Sequence, residues 1–150
     1  MNVKKSFPSG TRLDKLAPER ASHRSGRERA ILWLEAMLAI GAFAGAIGLI
    51  SGAVDLGEAT SRLPFGSSVF GGIALAVVNG VFPTVVFAGA LRRRQWARRG
   101  HLLVGAALVV WIVVQVVILG PPIAWLQVLY FIWGLAIFGL ALQTPPPTRA

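Results

Sequence analysis

The chain has 150 residues, of which 55% are hydrophobic and 14% charged, a composition too apolar for a water-soluble domain of this length. Its formal net charge of +9 is typical of nucleic-acid-binding proteins, but membrane proteins also accumulate Lys and Arg on their cytoplasmic side. We therefore expect a membrane protein with no nucleic-acid partner. The absence of cysteine excludes disulfides, thiolate metal sites and cysteine nucleophiles.

Residues 1–29 predict a disordered cytoplasmic tail. They contain eight of the 15 Lys and Arg residues, and prolines and glycines interrupt any helical pattern. The arginines expected to lie against anionic lipid headgroups are Arg20, Arg24, Arg27 and Arg29. A signal peptide cleaved near Ser51-Gly52-Ala53 is the alternative, but the apolar run is longer than the roughly 7–15 residues of a signal peptide core.

Four apolar segments follow, each close to the length of about 20 helical residues that crosses a bilayer. We expect helices at residues 30–54, 69–91, 102–119 and 123–142, with a Pro-rich cytoplasmic end at 144–150. The predicted fold is all-α. It is a left-handed bundle of four transmembrane helices that form two antiparallel hairpins within one domain, residues 30–143.

A basic segment between the second and third helices determines the predicted orientation. It reads Arg92-Arg93-Arg94-Gln95-Trp96-Ala97-Arg98-Arg99-Gly100-His101. If both termini are cytoplasmic, 14 of the 15 Lys and Arg residues lie on the cytoplasmic side. We therefore expect a multi-pass protein of the bacterial inner membrane with both termini in the cytoplasm. The residues placed at the headgroups are Arg92, Arg93, Arg94, Arg98 and Arg99, with Trp96 and His101 beside them.

Gly41, Gly45, Gly48 and Gly52 line one face of the first predicted helix. Such a face lets helix backbones approach closely, and close packing drives helix association in lipid. Packing against another helix of the same chain is the simpler interpretation. A seam with a second copy of the chain is the alternative.

Glu35 is the single acid inside an apolar segment, roughly 7.5 Å from the start of the first predicted helix by helical rise. It is therefore near the interface, where an acid costs far less than at the bilayer centre. We expect its side chain to reach the headgroups or to pair with an arginine of the basic segment. The functional alternative is a carboxyl group that binds a proton or a cationic substrate.

Pro83 cannot donate the helical hydrogen bond to the carbonyl of Asn79, so we expect a kink in the second helix. In the simpler interpretation, Asn79, Thr84 and a neighbouring helix satisfy the polar groups freed at the kink. In the alternative, the bent helix lines a cavity.

Gln115 and Gln127 lie five residues on either side of Gly120-Pro121-Pro122, so they are at similar depth on the third and fourth helices. We expect a hydrogen bond between the two amides, worth about 0.6–2 kcal/mol, that sets the register of these helices. A ligand site is the alternative. Together with Glu35 and Asn79, these amides form the candidate intramembrane polar site.

The sequence lacks the common catalytic motifs. H-E-x-x-H, P-loop and G-x-S-x-G patterns are absent, and His23 and His101 are the only histidines. Asp55 and Glu58 are the remaining acids outside the tail, in a loop where solvated charges are expected. We therefore expect no catalytic residue, no metal site, no cofactor and no enzymatic activity.

Several short stretches resemble a group of small, uncharacterised bacterial membrane proteins with four helices, of an actinobacterial kind. The stretches are Leu63-Pro64-Phe65, Leu91-Arg92-Arg93-Arg94-Gln95-Trp96-Ala97, Trp111-Ile112-Val113-Val114-Gln115 and Trp125-Leu126-Gln127. The resemblance covers about residues 33–142 and implies a four-helix bundle in the inner membrane. The Ala-, Gly-, Val- and Arg-rich composition fits a bacterium with a high-GC genome. It implies no activity and no residue roles.

Two functions remain open at this point. The first is a non-enzymatic accessory or association protein, in a homo-oligomer or with a different membrane partner, because a glycine face is present and catalytic groups are missing. The alternative is a small carrier or permeation protein that uses the candidate polar site. A lipid bilayer with anionic headgroups is the expected partner in both cases.

Overall fold

The computed structural model describes residues 25–120 and 124–144. The predicted tail up to Arg24, the Pro-rich end from Pro145 and the two prolines of the last turn lie outside these residues. The described residues are mostly helical, contain no strand, and include four helices that are long and apolar enough to cross a membrane. They confirm the prediction of an all-α fold with four apolar helices.

The first helix, α1, spans Gly26–Ser51 and so begins four residues before the predicted start at Ala30. Ser25 caps it, since its Oγ accepts a hydrogen bond from the N–H of Glu28 at 3.3 Å. Ser-x-x-Glu is the sequence pattern of a capping box, and it marks a helix start that the polar composition of the tail concealed. Gly52, with a φ of 77°, ends the helix in the left-handed conformation that glycine adopts without strain.

The second apolar helix, Ser68–Leu91, contains one widened turn. Its parts are α2 (Ser68–Leu75), a π-helical turn (Ala76–Val81) and α3 (Phe82–Leu91). In the wide turn, the N–H of Phe82 bonds to the carbonyl five residues back. The Thr84 hydroxyl donates to the carbonyl of Gly80 at 2.8 Å. The chain thereby accommodates Pro83, which has no N–H to donate.

The connection between α3 and α4 lies inside the basic segment. Arg93 has a φ of 52°, and the N–H of Arg94 bonds to the carbonyl of Gly89 at 3.0 Å. This is the hydrogen-bond pattern of a Schellman helix end. The next helix, α4, spans Ala97–Leu119 and starts five residues before the predicted Leu102, so half of the basic segment is helical.

Trp96 joins α3 to α4. A Cβ at Gly89 would overlap its indole ring, and a Cβ at Gly100 would lie 3.4 Å from the ring. The tryptophan nevertheless remains 45% exposed. Its ring therefore packs between two helices as well as facing the surface.

The last helix, α5, spans Ala124–Leu142 and packs mainly along α4. Glycines bring the two backbones close: a Cβ on Gly105 would lie 2.7 Å from the backbone N of Phe138. A Cβ on Gly134 would lie 3.1 Å from the carbonyl oxygen of Gly105. This seam is distinct from the glycine face predicted on α1.

The predicted glycine face of α1 divides into two parts. A Cβ on Gly41 would lie 2.7 Å from a side-chain atom of α5, and one on Gly45 would lie 3.2 Å from a side chain of α2. Gly48 faces the loop that follows α1, and a Cβ on Gly52 would have no atom within 4 Å. Only Gly41 and Gly45 therefore hold other helices of the chain close.

One end of the bundle collects most of the charge, and we call it the basic end. Arg27 Nη1 donates to the carbonyl of Gln143 at 3.2 Å, and Arg98 Nε donates to the carbonyl of Thr144 at 2.7 Å. Both arginines thereby cap the carbonyl end of α5, where cations are favoured. Arg98, one of the arginines predicted at the headgroups, is thus also hydrogen-bonded to this helix end.

The opposite end, which we call the loop end, contains the loop at residues 52–67 and the end of α4. Two short 3-10 helices, Gly57–Arg62 and Pro64–Gly66, shape this loop. The most deeply buried side chains lie toward the basic end and at mid-height, including Ile31, Val86, Val104 and Ile137 at 1% exposure or less. The apolar core is thus displaced toward the basic end.

Candidate functional site

A cavity of about 290 Å³ lies inside the bundle, in the half nearest the loop end. Side chains of α1, α2, the π-helical turn, α4 and α5 form its wall. The wall is mostly aliphatic and contains no charged residue. Its polar and aromatic members are Asn79, Trp111, Gln115, Gln127 and Tyr130.

Asn79 borders the cavity from the π-helical turn. The residue is only 2% exposed, and its Nδ2 has no hydrogen-bond partner among the described residues. A buried donor without a partner costs about 1–3 kcal/mol. The turn that accommodates Pro83 therefore carries a buried amide with unused hydrogen-bonding capacity.

Trp111 and Gln127 contribute two further polar atoms without partners. Nε1 of Trp111 is a buried donor, and Oε1 of Gln127 is a buried acceptor, and neither is hydrogen-bonded within the described part of the chain. Both side chains line the same cavity as Asn79. Three buried polar atoms without partners, two donors and one acceptor, thus belong to side chains that line this cavity.

The predicted hydrogen bond between Gln115 and Gln127 is wrong. Gln127 instead donates through Nε2 to the carbonyl of Gly120, at 3.3 Å. The last carbonyls of a helix lack helical partners. The carbonyl of Gly120, at the end of α4, accepts this hydrogen bond from the Gln127 amide. Both glutamines nevertheless line the cavity.

Tyr130 closes the cavity against α1. A Cβ on Gly41 would lie 2.7 Å from the hydroxyl of Tyr130. The absence of a side chain at Gly41 therefore makes space for the end of the tyrosine side chain. The ring stacks on Trp133, with centroids 6.1 Å apart, and Trp133 Nε1 donates to the carbonyl of Leu34 at 3.2 Å. These contacts fix the aromatic part of the wall.

A second cavity of about 170 Å³ adjoins the first toward the loop end. Leu56 and Gln115 belong to the walls of both cavities, and Leu63 lines the second. Arg62 Nη1 donates to the carbonyl of Leu119 at 3.4 Å and so ties the loop to α4. The loop at residues 52–67 therefore covers both cavities at this end.

Glu35 lies outside the cavity wall, nearer the basic end. Its fully buried Oε1 is 2.7 Å from Nδ1 of His101, whose side chain is 12% exposed. Either the ring N–H donates to the carboxylate or the carboxyl O–H donates to the ring nitrogen. The second carboxyl oxygen has no hydrogen-bond partner among the described residues.

The position of this pair corrects one prediction. Glu35 pairs with the basic segment, but through His101 and not through an arginine. His101, predicted beside the headgroups, has a side chain that is only 12% exposed, because α4 begins before it and brings the imidazole inside the bundle. Only three of the four residues of the candidate polar site therefore share the cavity: Asn79, Gln115 and Gln127.

Asp55 and Glu58 are exposed in the loop at residues 52–67. Asp55 Oδ1 accepts a hydrogen bond from the N–H of Gly57 at 2.8 Å, which is an Asx turn. Within residues 25–120 and 124–144, no group of three His, Cys, Asp or Glu side chains could hold a metal ion.

The sequence analysis missed Trp111, Tyr130 and His101 as site residues. A signal for two of them exists in helical spacing. Trp111 precedes Gln115 by four residues and Tyr130 follows Gln127 by three, so each shares a helix face with a glutamine. No comparable signal links His101 to Glu35.

Comparison with protein families, with characterised proteins and with solved structures finds no match for this chain. The fold class alone does not define an activity, because four-helix bundles serve many purposes. The function must therefore be argued from the chemistry of the cavity.

Proposed function

We propose that the chain is a non-enzymatic, multi-pass protein of a bacterial inner membrane that conducts or carries a small, neutral, hydrogen-bonding solute through its cavity. The observation that supports this most is that three residues lining the cavity, Asn79, Trp111 and Gln127, each have a buried polar atom without a partner. Buried polar groups are normally hydrogen-bonded, and each exception costs about 1–3 kcal/mol. A solute that pairs with them would recover that cost.

The composition of the wall indicates the class of solute. It contains no charged residue, so an ion would lose its hydration there without compensation. The Asn79 amide and the Trp111 indole offer hydrogens to an acceptor, and the Gln127 carbonyl accepts one from a donor. A compact polyol or an amide of the urea type supplies both kinds of group.

The exposed surface supports the membrane location. Large apolar side chains are exposed on all four long helices, for example Ile47 at 66%, Val117 at 78% and Ile132 at 58%. A water-soluble monomer rarely exposes so much contiguous apolar surface, whereas lipid is a suitable solvent for it. The four apolar helices fit a multi-pass membrane protein.

The orientation and helix order are part of the proposal. The arginines of the basic end favour the cytoplasmic side for that end and for both termini. The helices would form two antiparallel hairpins. For the second hairpin, the contact of Arg98 with Thr144 and that of Gly105 with Gly134 support this order.

An accessory or association role, in a homo-oligomer or with another membrane protein, is the second candidate. The glycine face on α1 motivated it. Gly41 and Gly45 of that face are already occupied by other helices of the same chain. The unpartnered polar atoms, which have no use in a role of association alone, therefore favour solute passage.

Proteoliposomes test this proposal. Vesicles that contain the full chain should equilibrate glycerol and urea faster than protein-free vesicles, as recorded by stopped-flow light scattering after an osmotic jump. Asn79→Leu should lower the rate to that of protein-free vesicles, because it removes a donor and narrows the cavity. Val77→Leu changes a 54% exposed residue of the same turn and should leave the rate unchanged.

Two results would contradict solute passage. In the first, wild-type vesicles admit glycerol and urea no faster than protein-free vesicles. In the second, the Asn79→Leu and Val77→Leu proteins conduct equally well.

A further inference from the structure

A cleft separate from the cavity opens on the surface at the basic end, between α1 and α3. Its volume is about 690 Å³, and it shares no residue with the cavity wall. Arg29 and Arg93 border it toward the end of the bundle, and Trp33, Phe87 and Leu91 form its apolar side. None of the residues that line it is acidic.

Both walls of the cleft change from cationic to apolar in the same direction. On α1, Trp33 follows Arg29 by four residues, so the two share a helix face about 6 Å apart along the axis. On the other wall, Phe87 and Leu91 precede Arg93, which lies beyond the end of α3. The cleft therefore has the polarity of an amphiphile with an anionic head and an apolar tail.

The backbone of Arg93 supplies a second observation. Its φ of 52° is left-handed, a conformation that is strained for an L residue and that glycine adopts freely. Glycine is the usual residue at this position of a Schellman helix end. An arginine here is expected where its side chain contributes something that glycine cannot, and this side chain borders the cleft.

The apolar side of the cleft is open to the surroundings. Trp33 is 69% exposed and Leu91 is 46% exposed. Tryptophan and arginine are the residues that membrane proteins place at the level of the headgroups. In the membrane location proposed above, lipid is the molecule that meets this surface.

We propose that the cleft binds one anionic phospholipid. The guanidinium groups of Arg29 and Arg93 bind the phosphodiester, since guanidinium and phosphate form paired hydrogen bonds. One acyl chain lies along Trp33, Phe87 and Leu91. Basic pockets between membrane helices on the cytoplasmic side are known to take such headgroups. This site depends on the proposed membrane location and is independent of solute passage.

Native mass spectrometry of the delipidated full chain tests this site. Equal amounts of phosphatidylglycerol and phosphatidylcholine with identical acyl chains are offered, and the lipid retained per chain is counted. We expect one retained phosphatidylglycerol with a preference of about tenfold over phosphatidylcholine. Arg29→Gln and Arg93→Gln should each lower phosphatidylglycerol affinity about tenfold.

Matched controls come from the same basic end. Arg92 and Arg99 are exposed and do not line the cleft, so Arg92→Gln and Arg99→Gln should change phosphatidylglycerol affinity less than about twofold. Equal retention of the two lipids would overturn the proposal. So would an equal loss in the control and cleft variants.

Arg93→Gly distinguishes a loss of lipid affinity from a loss of stability. Glycine removes the left-handed strain, so the melting temperature should stay the same or rise while phosphatidylglycerol affinity falls as in Arg93→Gln. Full retention of phosphatidylglycerol by this variant would contradict the proposed role of Arg93. Displacement of the bound lipid by inorganic phosphate would identify a site for free anions and would overturn the lipid assignment.

Discussion

The two halves of the bundle are built on different principles. Toward the basic end, Ile31, Val104 and Ile137 are at most 1% exposed, and arginines cap the end of α5. Toward the loop end, the helices enclose cavities of about 290 and 170 Å³ whose walls contain unpartnered polar atoms. The packed half supplies stability, and the open half supplies a polar space that packing alone would not require.

The residues between α4 and α5 contribute to this difference. In the packed half, Gly105 and Gly134 allow the backbones of α4 and α5 to touch. In the open half, the bulky rings of Trp111 and Tyr130 stand in the wall between the helices. Small residues permit close approach of helices and large ones prevent it. One bundle can therefore be firmly packed at one end and hollow at the other.

The largest expected effect on the free energy of unfolding concerns the buried pair of Glu35 and His101, in the packed half. Glu35→Leu or His101→Leu alone should lower the free energy of unfolding by about 3–5 kcal/mol, because each leaves a buried polar partner unpaired. The double variant should recover most of this loss, since apolar groups then replace both partners. Denaturant titration in mild detergent measures the free energy of unfolding of the two single variants and of the double variant. If the single losses simply add in the double variant, the two groups are not energetically coupled.

The same double variant sharpens the comparison of the two halves. Glu35 and His101 do not line the cavity, so glycerol permeation should persist once folding is restored. A folded double variant that no longer conducts glycerol would place Glu35 on the solute path after all.

A smaller loss is expected at the seam between α4 and α5. Gly105→Ala should lower the free energy of unfolding by about 1–3 kcal/mol, because the added Cβ meets backbone atoms that cannot move aside. Gly139→Ala on α5 is the matched control, since its Cβ would have no atom within 4 Å. We expect this control to be neutral or to gain up to about 1 kcal/mol from helix propensity. Equal losses in both variants would show that the seam is not specially tight.

The smallest effect has the opposite sign and lies in the open half. Asn79→Leu should raise the free energy of unfolding by about 1 kcal/mol, because it removes a buried donor that has no partner. Thermal unfolding in detergent, measured beside Gly105→Ala, tests the sign. If Asn79→Leu destabilises the protein as much as Gly105→Ala does, the amide contributes to packing and the contrast between the halves fails.

Helix boundaries show where sequence reasoning was limited. The apolar segments were found because hydropathy is averaged over a whole segment. The starts of α1 and α4 were placed four and five residues late, at Ala30 and Leu102. Charged residues can continue a helix beyond its apolar part. The capping-box pattern that begins at Ser25 is the local signal from which the earlier start of α1 could have been predicted.

Side-chain partners show a deeper limit. Polar groups are costly in apolar segments, which makes Asn79, Gln115 and Gln127 candidate site residues, and all three line one cavity. The bond partner proposed for Gln127 was wrong, and the partner of Glu35 lies 66 residues away on α4. Depth along a helix follows from residue number, but the direction in which each helix faces its neighbours does not.

By itself, the sequence determined the number of apolar helices, the concentration of arginine at one end and the identity of the polar residues within the apolar segments. The tertiary structure alone decided which polar groups meet, which glycines touch another backbone, and that the loop half is hollow. The physical reason is that hydropathy and charge belong to a segment, whereas pairing and cavities depend on the relative rotation and distance of helices. Those are set by contacts between residues far apart in the chain, such as Gly105 with Phe138 and Gly41 with Tyr130.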